Sequence, residues 1–193
     1  MGTRGLYGFR KNAIDKCTYN HFDSYPDYLG DVMVRFCKET SITEMNDIFD
    51  RIILVSNDNR PTQQQIDECI KYYNGNVSEQ SIFDWYCLLR DAQGNPNVYK
   101  NGLKYMIDDS EFIKDSLFCE YAYIINLDTN CLEYWVGFQK KPDEDNRYGT
   151  EADDNMNKYY PCKMLAEYPL DTDQTIEEIV ADMNKVAEED YHD

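Results

Sequence analysis

The sequence predicts an α+β fold, an antiparallel β-sheet with several packed helices, in a single domain spanning 1–193. Two stretches, 3–22 and 118–138, read as β-hairpins, with aromatic and branched residues flanking short polar turns. Between and after them, apolar residues recur at helical spacing. The 193 residues are 42% apolar and 29% charged, enough to bury a core and too apolar for a disordered chain.

Residues 3–10 and 14–22 flank Lys11-Asn12-Ala13, and asparagine tolerates the left-handed conformation a tight hairpin turn requires. The loop Asp23-Ser24-Tyr25-Pro26 leads into a helix over 27–39, where Leu29, Val32, Met33, Phe36 and Cys37 form one apolar stripe. Ser41 or Thr43 caps a second helix with Glu44 in its first turn, and Ile52–Val55 ends it or forms a short strand. Pro61 opens a helix over 61–73 that Gly75 stops. Ile82, Trp85, Tyr86 and Leu89 mark a helical face within 79–92, broken by Gly94-Asn95-Pro96-Asn97. Phe118–Leu127 and Leu132–Phe138 pair around Asp128-Thr129-Asn130, and the alternation of 162–168 adds a third strand. Ile176, Ile179, Val180, Met183 and Val186 make a closing helix capped by Thr172 or Asp173. Residues 140–159, whose only aliphatics are Ala152 and Met156, read as an acidic solvated loop.

Nineteen Lys and Arg against 37 Asp and Glu give a net charge of −18. That sign excludes direct binding to a nucleic-acid duplex, whose phosphates demand positive charge, and argues against an anionic membrane surface. Residues 1–16 hold no apolar stretch of signal-peptide length. The longest aliphatic run, Ile52–Val55, is far short of the roughly 20 residues of a membrane span, so the expected compartment is the cytoplasm. The seven cysteines form no CxxC pair, which predicts reduced, buried thiols rather than a zinc site. Counted from Asp143, the acidic loop lacks the glycine and glutamate positions of a calcium loop. No metal or cofactor is expected.

The chemistry-bearing residues concentrate at the front: Thr3-Arg4-Gly5, then Asn20-His21-Phe22-Asp23. With Asn12-Ala13 as a two-residue turn, paired positions place Arg4 opposite His21 and Thr3 opposite Phe22. A one-residue slip places Thr3 opposite His21 and Arg4 opposite Asn20. Cys17 and His21 share a strand face but lie about 13 Å apart, too far for proton transfer. A structural role is the simpler reading: Asn20 and Asp23 satisfy turn amides, and Arg4 pairs with Asp23.

The opening MGTRGLYGF, the motif YNHFDSYPDYLG and the later YAYIINLDTNCLEYWVG resemble an uncharacterised protein group found in phages, bacteria and fungi. That resemblance covers about a third of the chain and implies no established activity. Thr3-Arg4, a hairpin, then Asn20 and Asp23 is similar to the start of choloylglycine-hydrolase-type N-terminal nucleophile hydrolases, which implies a fold of that kind. Gly2 stands where that family has its nucleophilic cysteine, so only exposure of Thr3 would supply a nucleophile.

Two functions from different classes follow. The first is a protein-binding accessory factor whose acidic surface meets a basic partner, with Asp143, Glu144, Asp145, Glu151, Asp153 and Asp154 as binding residues. The phage resemblance points to an inhibitor that mimics nucleic acid and blocks the basic channel of a host defence nuclease. The alternative is a small-molecule enzyme or ligand-binding domain, an amidohydrolase of the N-terminal nucleophile type, with Thr3, Arg4, Asn20, His21 and Asp23 at its site. In it Arg4 holds a carboxylate or phosphate, and His21 with Asp23 handles protons.

Overall fold

The computed structural model describes residues 2–77, 81–153 and 158–192. Strands β1 (Gly5–Lys11) and β2 (Ile14–Asn20) pair from Gly5–Asn20 to Lys11–Ile14, the two-residue-turn register. Asn12 and Ala13 both take positive φ, 53° and 59°, which matches the turn twist to that of the strands. The Asp128 carboxylate accepts from both turn amides, at 2.7 and 2.9 Å.

Helix α1 (Asp31–Glu39) follows a wide π-type turn, Pro26–Gly30. That turn advances the apolar stripe by a residue, so Val34 is buried with Leu29, Met33, Phe36 and Cys37 while Val32 is half-buried. Ser41 caps α2 (Ile42–Arg51), its side chain accepting from the Glu44 amide, and β3 (Ile53–Val55) follows. Helix α3 (Gln63–Cys69) starts after Pro61, because Thr62 and Gln65 form a reciprocal capping box. The helix expected over 79–92 shrinks to α4 (Trp85–Leu88) and a 3₁₀ turn at Arg90–Ala92; positions 79 and 80 lie outside the described residues. The Asp84 carboxylate takes the amides of Tyr86 and Cys87 and fixes the start there. Two short elements without a clear local signal follow, α5 (Asn97–Lys100) and β4 (Tyr105–Ile107). Strands β5 (Tyr121–Asn126), β6 (Cys131–Val136) and β7 (Lys163–Pro169) lie where the sequence placed them. The last helix, α6 (Ile176–His192), is capped by Thr175 rather than Thr172 or Asp173, since Thr175 and Glu178 exchange side-chain and backbone bonds.

The fold is α+β, with a five-stranded sheet in the order β2-β1-β5-β6-β7 and a separate β3-β4 pair. The main sheet is mixed, which corrects the expectation of an antiparallel one: β1 and β5 run parallel. Each hairpin is antiparallel by construction, but the 100-residue connection between the hairpins leaves room for a crossover that sets them side by side in parallel. β3 and β4 are also parallel.

Alternation along β1 divides the interior. Tyr7 and Phe9 join the larger core, with Met33, Phe36, Met45 and Ile48 from α1 and α2 and Ile179 and Met183 from α6. Leu6 faces a smaller core with Cys17, Ile113, Cys119, Ile124, Trp135 and Cys162. The acidic loop covers this second side. Arg147 forms a bidentate pair with Glu133, which is only 1% exposed, at 2.7 and 2.5 Å. Its guanidinium also lies against Trp135 and Tyr148, and the Tyr148 hydroxyl donates to Asp15. Part of this loop is therefore strapped to the sheet rather than solvated. Among the described residues no helix is long and apolar enough to cross a membrane.

Candidate functional site

The end of the first hairpin brings Arg4 and His21 to one sheet face, as the two-residue turn requires, although the ladder itself begins one pair later at Gly5–Asn20. Leu6 and Tyr19, the next pair on this face, continue it. The Tyr19 hydroxyl lies 2.7 Å from His21 Nδ1, and the Tyr19 ring packs on Phe112 and Tyr86. Asp109 accepts from the Tyr19 amide at 2.9 Å, so the outer edge of β2 is occupied and Tyr19 is held in place.

Arg90 completes the cluster. The Asn20 side chain packs against Gly94, whose positive φ of 72° turns the chain back toward β2. The Gly94 amide donates to the buried Tyr7 hydroxyl, which itself donates to the Ala92 carbonyl. These contacts fix the 3₁₀ turn so that the Arg90 guanidinium lies over Phe22 and Tyr86, 5.4 and 5.9 Å from their ring centres. Arg4 stacks on Phe118 at 5.1 Å. Phe22 and Phe118 are about half exposed, at 50% and 45%.

Burial, then the positive charges of Arg90 and Arg4, hold the His21 pKa below its usual 6.5, so the ring is neutral at pH 7. Burial and the neighbouring Tyr86 raise the Tyr19 hydroxyl above its usual value, so it keeps its proton. In the tautomer in which Tyr19 donates to Nδ1, the His21 proton is on Nε2. Neither Arg4 nor Arg90 has a carboxylate within ion-pair distance among the described residues; Arg90 donates instead to Gln93 Oε1 at 3.1 Å, and its buried Nε has no partner. The cluster offers two fixed guanidinium groups, a neutral imidazole and a phenol beside exposed aromatic rings. Chemically this suits an oxyanion attached to a flat or apolar body.

Several expected residues lie here with different duties. Thr3 is 4% exposed, and its carbonyl accepts from the Ser24 amide. Asn20 is 6% exposed and donates to the Phe22 carbonyl and to Ser24 Oγ, which makes it a turn residue. Asp23 is exposed, with φ 54°, and its carbonyl accepts from the Leu29 amide. The expected Arg4–Asp23 pair is not among the ion pairs of the described residues, because Arg4 stacks on Phe118 instead. A methyl group on Gly2 would sit 2.2 Å from Phe22 Cδ1 and 2.9 Å from the His21 carbonyl oxygen, leaving no room for a nucleophilic side chain. Arg90, Tyr86 and Phe118 were missed, since no local pattern ties them to residues 4 and 21.

Asp143 Oδ1 accepts from the Asp145 amide, Glu144, Asp145 and Glu151 are exposed, and the Asp153 amide donates to Tyr159. Asp154 lies outside the described residues. Lys140, Lys141, Arg147 and Lys158 are interspersed with these acids. The charge is more one-sided in 171–193, where nine acids face one lysine. Among the described residues no group of three or more His, Cys, Asp or Glu side chains is placed to hold a metal ion.

No family model matches the chain, and neither a curated protein nor a solved structure matches it, so both resemblances noted in the sequence rest on their motifs alone.

Proposed function

We propose that the protein is a binding domain for a small anionic ligand, a carboxylate or phosphate ester, held by Arg4 and Arg90 beside His21. The carrying observation is that two guanidinium groups close enough to depress His21 have no carboxylate within ion-pair distance among the described residues, in a chain with 37 acids and 19 bases. Elsewhere Arg10, Arg35 and Arg147 are ion-paired, while Arg51 donates to the Tyr99 carbonyl and Arg60 has no ion pair among the described residues. Phe22 and Phe118 supply an apolar platform for the body of the ligand. If the ligand is turned over, His21 with the Tyr19 hydroxyl is the pair that would move a proton. The test is a titration with inorganic phosphate, then benzoate and phenyl phosphate, followed through the His21 ring signal, one of two histidine signals in the chain. A saturable rise in the His21 pKa, lost in Arg4→Ala and Arg90→Ala, supports the reading; an unchanged pKa at every concentration overturns it.

A second reading is favoured by the charge of 171–193. In it an acidic face docks on a basic protein, such as the nucleic-acid channel of a nuclease, and α6 rather than the 140–159 loop carries the contact through exposed Glu177, Glu178, Glu188 and Glu189. Binding to a basic nuclease that weakens steeply with salt and is lost in Glu177→Lys/Glu188→Lys supports it; salt-independent binding or none removes it.

A further inference from the structure

Away from the arginine cluster, a cleft of about 370 Å³ opens beyond the carboxyl ends of the parallel strands β3 and β4. This is the size of small-molecule sites, and the carboxyl end of parallel strands is where open parallel sheets commonly place their ligands. Leu54 and Val55 give one apolar wall and Trp85 another. Arg60, Asn59 and Asp108 line the same space.

The two charged groups here, Arg60 and Asp108, are exposed and have no ion-pair partner among the described residues. Arg60 makes no ion pair or hydrogen bond among the described residues, and neither does the Asn59 side-chain amide. Asp108 accepts from the Ser110 amide through Oδ1 and has no cationic partner among the described residues. Trp85 is only 2% exposed, but its indole N–H, which has no acceptor among the described residues, is not one of the buried polar atoms without a partner; the other tryptophan, Trp135, donates to Glu133 at 3.0 Å. Opposite charges that line one cleft without pairing are complementary to a ligand that carries both charges.

We infer that this cleft binds a free α-amino acid, its carboxylate on Arg60, its ammonium on Asp108 and its side chain against Leu54, Val55 and Trp85. The inference is independent of the anion site, which involves none of these residues. Leucine fits the apolar walls, and its two half-charged analogues, 4-methylpentanoate and isoamylamine, separate the contributions of the two charged groups.

The experiment uses the full chain labelled with ¹⁵N and follows the two tryptophan indole signals. Leucine is expected to move the Trp85 signal saturably and leave Trp135 in place, with each analogue at least about tenfold weaker. Arg60→Ala and Asp108→Asn should each weaken leucine by about tenfold or more. Neither variant threatens the fold, since Arg60 is exposed with no hydrogen bond or ion pair among the described residues and an asparagine oxygen still accepts from the Ser110 amide. Three outcomes overturn the inference. One is a Trp85 signal unmoved by leucine, glutamine or glycine up to about 10 mM, well above a weak millimolar affinity. Another is equal affinity for 4-methylpentanoate, which marks a plain anion site. The third is undiminished leucine binding in Asp108→Asn.

Discussion

Replacing Arg147 with alanine tests how the 140–153 segment is held to the sheet. Glu133 is 1% exposed and accepts four bonds: from Asn126 at 2.7 Å, Trp135 at 3.0 Å, and the two Arg147 nitrogens at 2.7 and 2.5 Å. Removing Arg147 leaves a buried carboxylate with two neutral donors and no countercharge, a change that costs about 3–5 kcal/mol. The Arg147 side chain is 24% exposed, so water can reach the vacated space, which places the loss near the lower end. About 3 kcal/mol corresponds to a drop of roughly 10 °C in the melting temperature of a domain this size. The assay is urea unfolding at pH 7, with Arg35→Ala as control. The Arg35–Asp31 pair is 49% and 34% exposed and is worth under about 1 kcal/mol. Equal losses in the two variants would refute the view of Glu133–Arg147 as a buried pair.

Other expectations can be checked alongside. Because the folded His21 pKa lies below 6.5, the unfolded chain binds that proton first, so its contribution to stability is complete above pH 6.5 and is lost as pH falls toward the folded value; His21→Gln should flatten this slope in pH-resolved denaturation. In Arg90→Ala the His21 pKa should rise toward its ordinary value, read by the imidazole proton shift, while an unchanged pKa would separate Arg90 from the site. Ala13 holds a φ of 59° at the first hairpin turn, so Ala13→Gly should stabilise the protein by about 0.5–1 kcal/mol in equilibrium unfolding. Asp128→Ala removes the acceptor of both turn amides; its carboxylate sits below the ordinary aspartate pKa because of those two bonds, so the loss should fade as pH drops below about 4.

The two hairpins and the start of α2 were legible in the sequence because their causes are local. Asn12-Ala13 accepts the left-handed turn, Ser41 caps its own helix three residues on, and the alternation in β5, β6 and β7 follows directly from the pleat. The sequence left two registers open for this hairpin; the ladder from Gly5–Asn20 onward is the two-residue-turn one, since one turn length fixes every later register. Tertiary structure decided what depends on long separations. The parallel junction of β1 with β5, the recruitment of Arg90 over Phe22 and Tyr86, and the burial of Glu133 under Arg147 join residues whose neighbours in sequence give no hint of the partner. A side chain's local preference is set within a few residues of chain. Its electrostatic environment is set by whatever packing brings within a few ångströms, and here that packing brought the charges of Arg90 and Arg4 close enough to His21 to hold its pKa down.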